Sequence, residues 1–357
     1  MRIAVVGLGA VGEACAHALT ASEVARSLVL LNRTEGVAPA IAADLRQARA
    51  WGRPLDTQVG SLRDWTTLKG CDLVVLTLGA RLRGEQHRSE MARSTASLLR
   101  GTEDHPGFLQ SLKDLLADDE AAAPIILVVS NPVEATVTWL LQKTGWPRER
   151  MFGLGTTVES ARYSGFLAQE LNVDAGSVWM DIIGEHGKRF APLDDARLRK
   201  MFPSKKIEAA LKSAEQETRD AAQTIRALSE GLGKEKAAQA AARLKEAVGD
   251  KVAKQDLDVI ATALQEDLQW SLAPPATRYA IAASVNMVAT AVREDLNQVL
   301  TVSALAPDDL VAPRVALALP FVVGRAGVGE CLLQAPPGIV QEAAQAIDKQ
   351  VTSMSRG

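Results

Sequence analysis

The sequence has few of the features that mark secreted, metal-binding or membrane-spanning proteins. Its 357 residues include three cysteines, which are far apart and each sit beside apolar residues: Cys15, Cys71 and Cys331. This spacing fits neither a disulfide framework nor a metal site, so we expect buried free thiols and a cytoplasmic protein. No apolar run is long enough to cross a membrane. The apolar stretch at residues 3–12 meets Glu13 and lacks a small-residue cleavage site, so we expect it to be structural rather than a signal peptide.

The chain also lacks an excess of positive charge. It has 40 Lys and Arg against 43 Asp and Glu, a formal net charge of −3, and no Lys/Arg run longer than two or three residues. Such a balance disfavours nucleic acid as a partner, because a polyphosphate backbone binds to concentrated positive charge. Apolar residues make up 47% and charged residues 23%, which indicates a folded chain of two domains or one large domain.

Apolar strands alternate with amphipathic helical segments through residues 1–150. The predicted strands are RIAVVG, LVLLN, LDTQVG, CDLVVLTLG and PIILVVSNP. This alternation predicts an α/β fold with a Rossmann-type, doubly wound parallel sheet, in which ligands bind beyond the carboxyl ends of the strands. Longer helices and shorter strands over residues 151–357 predict a mixed α+β substrate domain.

A segment at about residues 204–255 differs from its surroundings. It is rich in Ala, Lys, Glu and Gln, and its apolar residues recur at helical spacing. We expect a helical-hairpin insertion that breaks at the GLGK sequence of Gly231 to Lys234. The hairpin could cap a site, pack between subunits, or lie solvated on the surface.

The sequence GLGAVG at residues 7–12 follows the first predicted strand and opens a helix. Gly7 permits a tight turn, Gly9 lets a pyrophosphate approach the backbone, and Gly12 allows close packing of helix on strand. The pattern in this context predicts a dinucleotide site, with a structural turn as the alternative.

The second predicted strand ends in Asn32, Arg33 and Thr34, at the position where a carboxylate usually holds the ribose. Asn32 removes the repulsion that a carboxylate exerts on a 2′-phosphate, and Arg33 and Thr34 can bond to phosphate oxygens. These residues favour NADP(H) over NAD(H). The alternative is that Arg33 is a solvated loop residue and that Asn32 bonds a plain ribose.

Six segments together resemble the lactate/malate dehydrogenase family, in its order along the chain. They are LTLGARLRGEQHRSEM (76–91), VVSNPVEA (128–135), GTTVESARYSGFLAQELNVD (155–174), IIGEHGKRFAP (182–192), PATRYAIA (275–282) and LPFVVGRAGVGE (319–330). The resemblance covers nearly the whole chain outside the predicted hairpin. It implies NAD(P)-dependent interconversion of a 2-oxo acid and an L-2-hydroxy acid, with no metal, in a homo-oligomer (a dimer or tetramer).

The resemblance also implies roles for individual residues. His186 matches the proton donor and acceptor, and a ring whose ordinary pKa is near 6.5 suits that role. Arg162 matches the arginine that clamps the substrate carboxylate. Glu159 falls where the family carries the Asp that orients the histidine, and its extra methylene changes the geometry required. The alternative for Glu159 and Arg162 is a surface ion pair at i, i+3.

Two further matches concern the carbonyl and the nicotinamide. Arg88 lies nine positions after Gly79 (88 − 79) and matches the loop arginine that polarises the carbonyl as the loop closes. The choice of Arg88 depends on register, since other arginines lie nearby: Arg81, Arg83 and Arg93. Asn131, in SNP, matches a residue that bonds substrate and nicotinamide ribose, although Asn-Pro can also be a simple turn.

Two residues bear on the choice of substrate. By resemblance, Leu82 contacts the substrate side chain and Thr277 lies on the opposite wall. Leu82 favours a small or apolar 2-oxo acid, with a malate dehydrogenase as the alternative, because a slip of one residue would present Arg81 or Arg83 to a dicarboxylate. Two other functions remain open: a catalytically silent NADP-binding sensor and a dinucleotide-dependent glycosidase.

Overall fold

The computed structural model describes residues 1–61, 65–79, 88–102, 105–120, 122–193, 196–248 and 277–356. The chain divides into two compact units. The first joins Met1–Glu215 to Tyr279–Gly357, and the second is Gln216–Arg278. Among the described residues, no helix is both long enough and apolar enough to cross a membrane.

The described residues of the first unit form one mixed sheet of eleven strands and a separate two-stranded ribbon. The strand order is β10-β9-β12-β11-β8-β7-β4-β1-β2-β3, and β13 pairs with β12. The strands of the sheet are β1 (Arg2–Val6), β2 (Ser27–Asn32), β3 (Asp56–Ser61), β4 (Leu73–Leu76), β7 (Ile125–Val128), β8 (Met151–Gly153), β9 (Ile182–Gly184), β10 (Phe190–Pro192), β11 (Gln298–Leu305), β12 (Ala316–Gly324) and β13 (Gly327–Cys331); the ribbon is β5 (Gly101–Thr102) and β6 (His105–Pro106).

The predicted parallel sheet is confirmed. Strand β1 pairs in parallel with β2 and β4, β2 with β3, β4 with β7, and β7 with β8. The central strands are apolar on both faces because helices cover both faces of the sheet. From β1 the chain continues to β2 and β3 on one side of the sheet, and then to β4, β7 and β8 on the other. The crevice between the carboxyl ends of β1 and β4 is therefore the place where a doubly wound sheet binds its ligand.

The helices cover the sheet and form a second, smaller core. In the described ranges they are α1 (Ala10–Ala21), α2 (Val37–Ala48), α3 (Arg88–Arg100), α4 (Phe108–Asp118), α5 (Val133–Thr144), α6 (Thr157–Leu171), α7 (Ala196–Met201), α8 (Ser204–Val248), α9 (Tyr279–Glu294) and α10 (Gly338–Ser355). Tyr163 and Leu167 of α6 pack with Met180, Phe190 and Ile207 in the smaller core. This packing fixes α6 against the β9–β10 hairpin.

The parallel and antiparallel parts of the sheet meet where Gly153 of β8 pairs with Ser303 of β11. Beyond this point β11, β12, β9 and β10 pair antiparallel. This pairing agrees with the mixed α+β domain predicted for residues 151–357. The predicted boundary between domains at residue 150 falls just before β8. It stays a prediction.

The expected break of the insertion at Gly231 to Lys234 is wrong, because α8 continues through it to Val248. Neither Gly231 nor Gly233 has a positive φ. One glycine in a helix costs only about 1 kcal/mol relative to alanine, and the flanking Ala, Leu, Lys, Glu and Gln residues are strong helix formers. The remainder of the predicted insertion, residues 249–255, lies outside the described residues.

Two glycines that differ in backbone conformation test this account of α8. Gly231 is exposed and helical, whereas Gly145 ends α5 with φ of +70°, and at both positions an added Cβ would meet no atom within 4 Å. We expect Gly231→Ala to slow amide exchange in α8 by about two- to fivefold, because Gly costs roughly 0.5–1 kcal/mol relative to Ala in a helix. The matched change Gly145→Ala should speed exchange in α5, because alanine is strained at positive φ. Equal effects of the two substitutions would contradict the continuous helix.

Candidate active site

The glycine-rich turn after β1 has the geometry that a dinucleotide needs. Gly7 adopts φ of +97°, and its N–H donates to Leu31 O at 2.9 Å. A Cβ on Gly12 would lie 1.9 Å from Gly7 O, whereas a Cβ on Gly9 would meet no atom within 4 Å. Gly12 therefore allows close packing of α1 on β1, and the open side of Gly9 leaves room for a ligand.

The start of α1 offers backbone donors at this open position. Gly9 is the N-cap residue of α1 and contributes no side chain to satisfy the first amides of the helix. Unsatisfied N–H groups and the positive end of the helix dipole together suit a pyrophosphate. The residues present thus fit the diphosphate of a nicotinamide dinucleotide.

Asn32 ties the end of β2 to the glycine-rich turn. Its Oδ1 accepts a hydrogen bond from Leu8 N at 3.0 Å, and its Nδ2 donates to Thr34 O at 3.3 Å. The side chains of Arg33 and Thr34 are exposed. Asn32 therefore has an anchoring role that the sequence did not indicate, and the residues after it carry a guanidinium and a hydroxyl at the surface.

His186 lies in the turn between β9 and β10. The two glycines of GEHG both require positive φ, +121° at Gly184 and +74° at Gly187. A Cβ on Gly184 would lie 2.2 Å from Arg189 O, so no other residue fits there. The two glycines of the motif therefore allow the backbone of the turn to adopt its conformation.

Glu159 and His186 form a close pair. Nδ1 of His186 lies 2.9 Å from Oε1 and 3.1 Å from Oε2 of Glu159. The Glu159 side chain is 4% exposed and that of His186 is 23% exposed. Burial opposes ionisation of Glu159, but the charge and hydrogen bond of His186, the Glu159 backbone N–H and Arg162 outweigh burial and hold the pKa of the carboxyl below its usual value.

Buried hydroxyl groups fix α6, which carries Glu159, against the strand that leads to His186. Ser160 Oγ lies 2.9 Å from Thr301 Oγ1 and accepts from Ile182 N, also at 2.9 Å. Ser164 Oγ accepts from Met180 N at 2.9 Å. These contacts set the distance between the carboxylate and the imidazole, since Glu159 lies on α6 and His186 in the turn after β9.

Arg162 follows Glu159 by one helical turn and is partly buried. Its charge is close enough to lower the pKa of Glu159. The alternative of a surface ion pair at i, i+3 is wrong, because Glu159 is buried and bonds to His186. A guanidinium close to the histidine pair has the chemistry to bind a carboxylate.

Asn131 lies just beyond the carboxyl end of β7, in a cis Asn131–Pro132 peptide. Its backbone O accepts from Thr95 Oγ1 at 2.9 Å. Its side-chain Oδ1 is buried and has no hydrogen-bond partner among the described residues. A buried acceptor without a partner is costly, so a donor on a bound ligand fits this position.

Sequence reasoning missed two buried glutamates that hold the histidine turn. Glu134 of α5 accepts from His186 N at 3.0 Å and from Ser303 Oγ at 2.9 Å. Glu185 is fully buried and accepts from Arg189 at 2.7 Å and from Gln350 Nε2 at 3.0 Å. No local sequence pattern indicates these contacts, because His186 lies 52 residues from Glu134 and Gln350 lies 165 residues from Glu185.

Some predicted residues cannot be compared with this geometry. Leu82 lies outside the described residues. Arg88 is the first residue of α3, but its side chain is outside the described part. Thr277 belongs to the second unit. The roles of these three residues stay predictions.

The cysteine prediction is largely confirmed. Cys15 and Cys71 are buried free thiols, and burial raises the pKa of Cys15 to about 12. Cys331 is only partly buried, because its edge strand β13 has a neighbour on one side alone. Within the described ranges, no group of three or more His, Cys, Asp or Glu could hold a metal ion.

Residues 1–153 match the family model described as lactate/malate dehydrogenase, NAD binding domain. The chain is 32% identical over 193 residues to a malate dehydrogenase of Thioalkalivibrio sulfidiphilus, which covers 54% of this chain and 59% of that protein. It is 31% identical over 186 residues to an L-lactate dehydrogenase of Treponema denticola, covering 52% of this chain and 55% of the relative. The matched stretch thus spans little more than half the length of these curated relatives.

Solved structures match over nearly the whole chain. A lactate dehydrogenase from a deep-sea metagenome library superposes with a TM-score of 0.72 at 22% identity, covering 99% of this chain and 98% of the other. The malate dehydrogenase from Aeropyrum pernix gives a TM-score of 0.70 at 22% identity, covering 98% and 97%. These likenesses show the fold. Residues 1–153 match the NAD binding domain model of the lactate/malate dehydrogenase family, and about half of the chain is similar in sequence to malate and lactate dehydrogenases.

Proposed function

We propose that this protein is an NAD(P)-dependent L-2-hydroxy acid dehydrogenase. The observation that carries the proposal is the contact between His186 Nδ1 and the buried Glu159 carboxylate, in a fold whose glycine-rich turn fits a dinucleotide. When bound, the nicotinamide supplies or accepts a hydride. The protein's task is then to orient the substrate and to move one proton.

In this proposal, His186 donates and accepts the proton of the reaction. Glu159 holds Nδ1, so Nε2 is the nitrogen that gives a proton to the nascent alkoxide and takes it back in the reverse reaction. Arg162 clamps the substrate carboxylate, and Asn131 donates to or accepts from the substrate and the nicotinamide ribose. Arg88 stabilises the negative charge that develops on the carbonyl oxygen.

For the coenzyme we propose NADP(H), with NAD(H) as the alternative. No carboxylate ends β2, and Arg33 and Thr34 are exposed beside Asn32. A guanidinium and a hydroxyl suit a 2′-phosphate, which a carboxylate would repel. Asn32 Oδ1 accepts a hydrogen bond from Leu8 N, so the amide at the end of β2 also holds the glycine-rich turn in place.

For the substrate we propose a small or apolar 2-oxo acid, because Leu82 carries no charge to pair with a second carboxylate. A malate dehydrogenase is the alternative, and several relatives bear that name. We also propose a cytoplasmic homo-oligomer. Of the competing classes, a silent NADP-binding sensor differs only in lacking turnover, whereas a glycosidase would make no use of the paired His186 and Glu159.

Turnover with a panel of about twenty 2-oxo acids tests the proposal directly. We expect oxidation of NADPH, followed at 340 nm, with kcat/KM at least about tenfold higher for a monocarboxylate than for oxaloacetate, a factor worth about 1.4 kcal/mol. His186→Gln should lower kcat by about 10²- to 10⁴-fold, because general acid catalysis contributes that much.

Coenzyme fluorescence titration is the control, since His186→Gln should bind NADPH as the unaltered chain does. Coenzyme binding without turnover on any acid would favour the sensor. A tenfold preference for oxaloacetate would replace the substrate proposal with the malate alternative.

A second test concerns the end of β2. Asn32→Asp keeps an oxygen to accept from Leu8 N but adds a charge that repels a 2′-phosphate. We expect it to lower kcat/KM for NADPH by about tenfold or more and to leave NADH less affected, since one charge-assisted contact is worth about 1.5–3 kcal/mol. Arg33→Ala should act in the same direction. Arg148→Ala, at an exposed residue paired with Glu149, is the control; an unchanged coenzyme ratio in both test variants would refute the NADP(H) assignment.

The lowered pKa of Glu159 gives a third test, which is independent of substrate. Because the folded-state pKa lies below the unfolded value, the ionised carboxylate stabilises the fold above the unfolded pKa, and this contribution is lost as pH falls through the lowered folded pKa. We expect Glu159→Gln to unfold at lower urea concentration than the unaltered chain at about pH 7, and the difference to shrink at about pH 3. Glu13→Gln, at an exposed residue, should show no such convergence. A constant difference at both pH values would contradict an ionised Glu159.

A further inference from the structure

One buried carboxylate joins the two parts of the fold that carry Asn131 and His186. Glu134 is the second residue of α5, lies three positions after Asn131 (134 − 131), and is buried. Its Oε1 accepts a hydrogen bond from His186 N at 3.0 Å. We infer that Glu134 is a positioning residue that holds His186 and Asn131 at a fixed separation for the substrate; this role rests on the dehydrogenase activity proposed above.

A threonine one turn later in α5 fixes the backbone at Glu134. Thr138 Oγ1 donates to Glu134 O at 2.8 Å and accepts from Ala316 N of β12, also at 2.8 Å. Thr138 is buried, so both bonds are shielded from water. Strand β12 therefore holds the first turn of α5 in place.

A serine of β11 fixes the carboxylate itself. Ser303 Oγ donates to Glu134 Oε1 at 2.9 Å, so the oxygen that accepts from the His186 amide has a second donor. Ser303 is fully buried and pairs with Gly153 of β8. A Cβ on Gly153 would lie 2.2 Å from Val133 Cγ1, so a glycine is needed for the start of α5 to lie this close to the sheet. The two donors and this close packing fix the position of Glu134 Oε1 at the histidine turn.

The geometry of proton transfer makes this position important. In the proposed reaction, His186 exchanges a proton with the same ligand that Asn131 contacts, and a misplacement of about 1 Å can cost about 10²-fold in rate. Glu159 bonds to the ring of His186 at Nδ1, whereas Glu134 bonds to the backbone of the same residue. Different carboxylates therefore hold the ring and the backbone, and loss of Glu134 should move the ring while leaving the coenzyme site intact.

Substitutions at Glu134 with and without an acceptor test the inference. Glu134→Leu removes the acceptor, and we expect kcat per coenzyme-binding site to fall by about tenfold or more, with little change in KM for the acid or in coenzyme affinity. Glu134→Gln keeps an oxygen for both donors and should restore kcat to within about threefold of the unaltered chain. Thr136→Val is the matched control, because the Thr136 hydroxyl is buried in the same helix and has no hydrogen-bond partner among the described residues.

A purely structural role would lower stability but leave kcat per coenzyme-binding site unchanged, and that result in Glu134→Leu would overturn the inference. Equal losses of kcat in Glu134→Leu and Glu134→Gln would also overturn it. If Glu134→Leu does not fold, Ser303→Ala removes the second donor to Oε1 and should lower kcat by about two- to tenfold. An unaltered kcat in Ser303→Ala would then contradict the inference.

A measurement on the amide of His186 separates this inference from the proposed function. The chain has four histidines, so histidine-selective ¹⁵N labelling gives four backbone amide signals, and His186→Gln identifies the one from His186. We expect this amide to exchange with solvent about fivefold or more faster in Glu134→Leu, and to change by less than about twofold in Glu134→Gln and Thr136→Val. Unchanged exchange in Glu134→Leu would overturn the contact whatever the activity. Faster exchange in a chain that turns over no 2-oxo acid would instead contradict the proposed function and, with it, the positioning role.

Discussion

A buried carboxylate facing an imidazole is the contact on which the rest of the site depends. Removing Glu159 from water costs several kcal/mol unless the charge is paired and hydrogen-bonded. His186 supplies that partner, at 2.9 and 3.1 Å from the two carboxylate oxygens, and Glu159 lies in the first turn of α6, where the helix dipole favours an anion. The fold must therefore hold α6 and the turn after β9 in fixed relation. The hydroxyls of Ser160 and Ser164, which accept the amides of the segment before and within β9, do so.

The histidine turn is held from three directions. Glu134 of α5 accepts a hydrogen bond from the His186 backbone N–H, and Glu159 of α6 pairs with the His186 ring. Gln350 of α10 donates a hydrogen bond to the carboxylate of the neighbouring Glu185. Each contact joins a different helix to the same few residues, and all three carboxylates are buried. Buried charged hydrogen bonds are strong when satisfied and costly when broken. These contacts therefore hold the turn in place although two of its residues are glycines, and the proposed function requires such a fixed position of His186.

Features that depend on residues close together in the sequence could be predicted from it, whereas contacts between distant residues could not. Continuous apolar strands and the glycines at positions 7, 9 and 12 report local backbone geometry, and the parallel sheet was predicted from them. The pairing of Glu159 with His186, 27 residues apart, was reached only through resemblance to a family. Glu134 and Glu185 were missed because their partners His186 and Gln350 lie 52 and 165 residues away, where no local pattern operates. The break expected in α8 failed for the opposite reason: two local glycines were given more weight than the helix formers around them.

In the proposed reaction, the glutamate at position 159 also decides which ring nitrogen of His186 exchanges the proton. A carboxylate one methylene longer than aspartate lies with both oxygens close to Nδ1, so the Nδ1 proton stays on the buried side of the ring. The burial of the pair is asymmetric, 4% exposed at the carboxylate and 23% at the histidine. In the proposed reaction, Nε2 of the more exposed ring therefore exchanges the proton with a ligand, while the buried carboxylate stabilises the positive charge that the ring gains. Under the proposed function, the glutamate at this position thus assigns Nδ1 to the buried carboxylate and leaves Nε2 for the ligand.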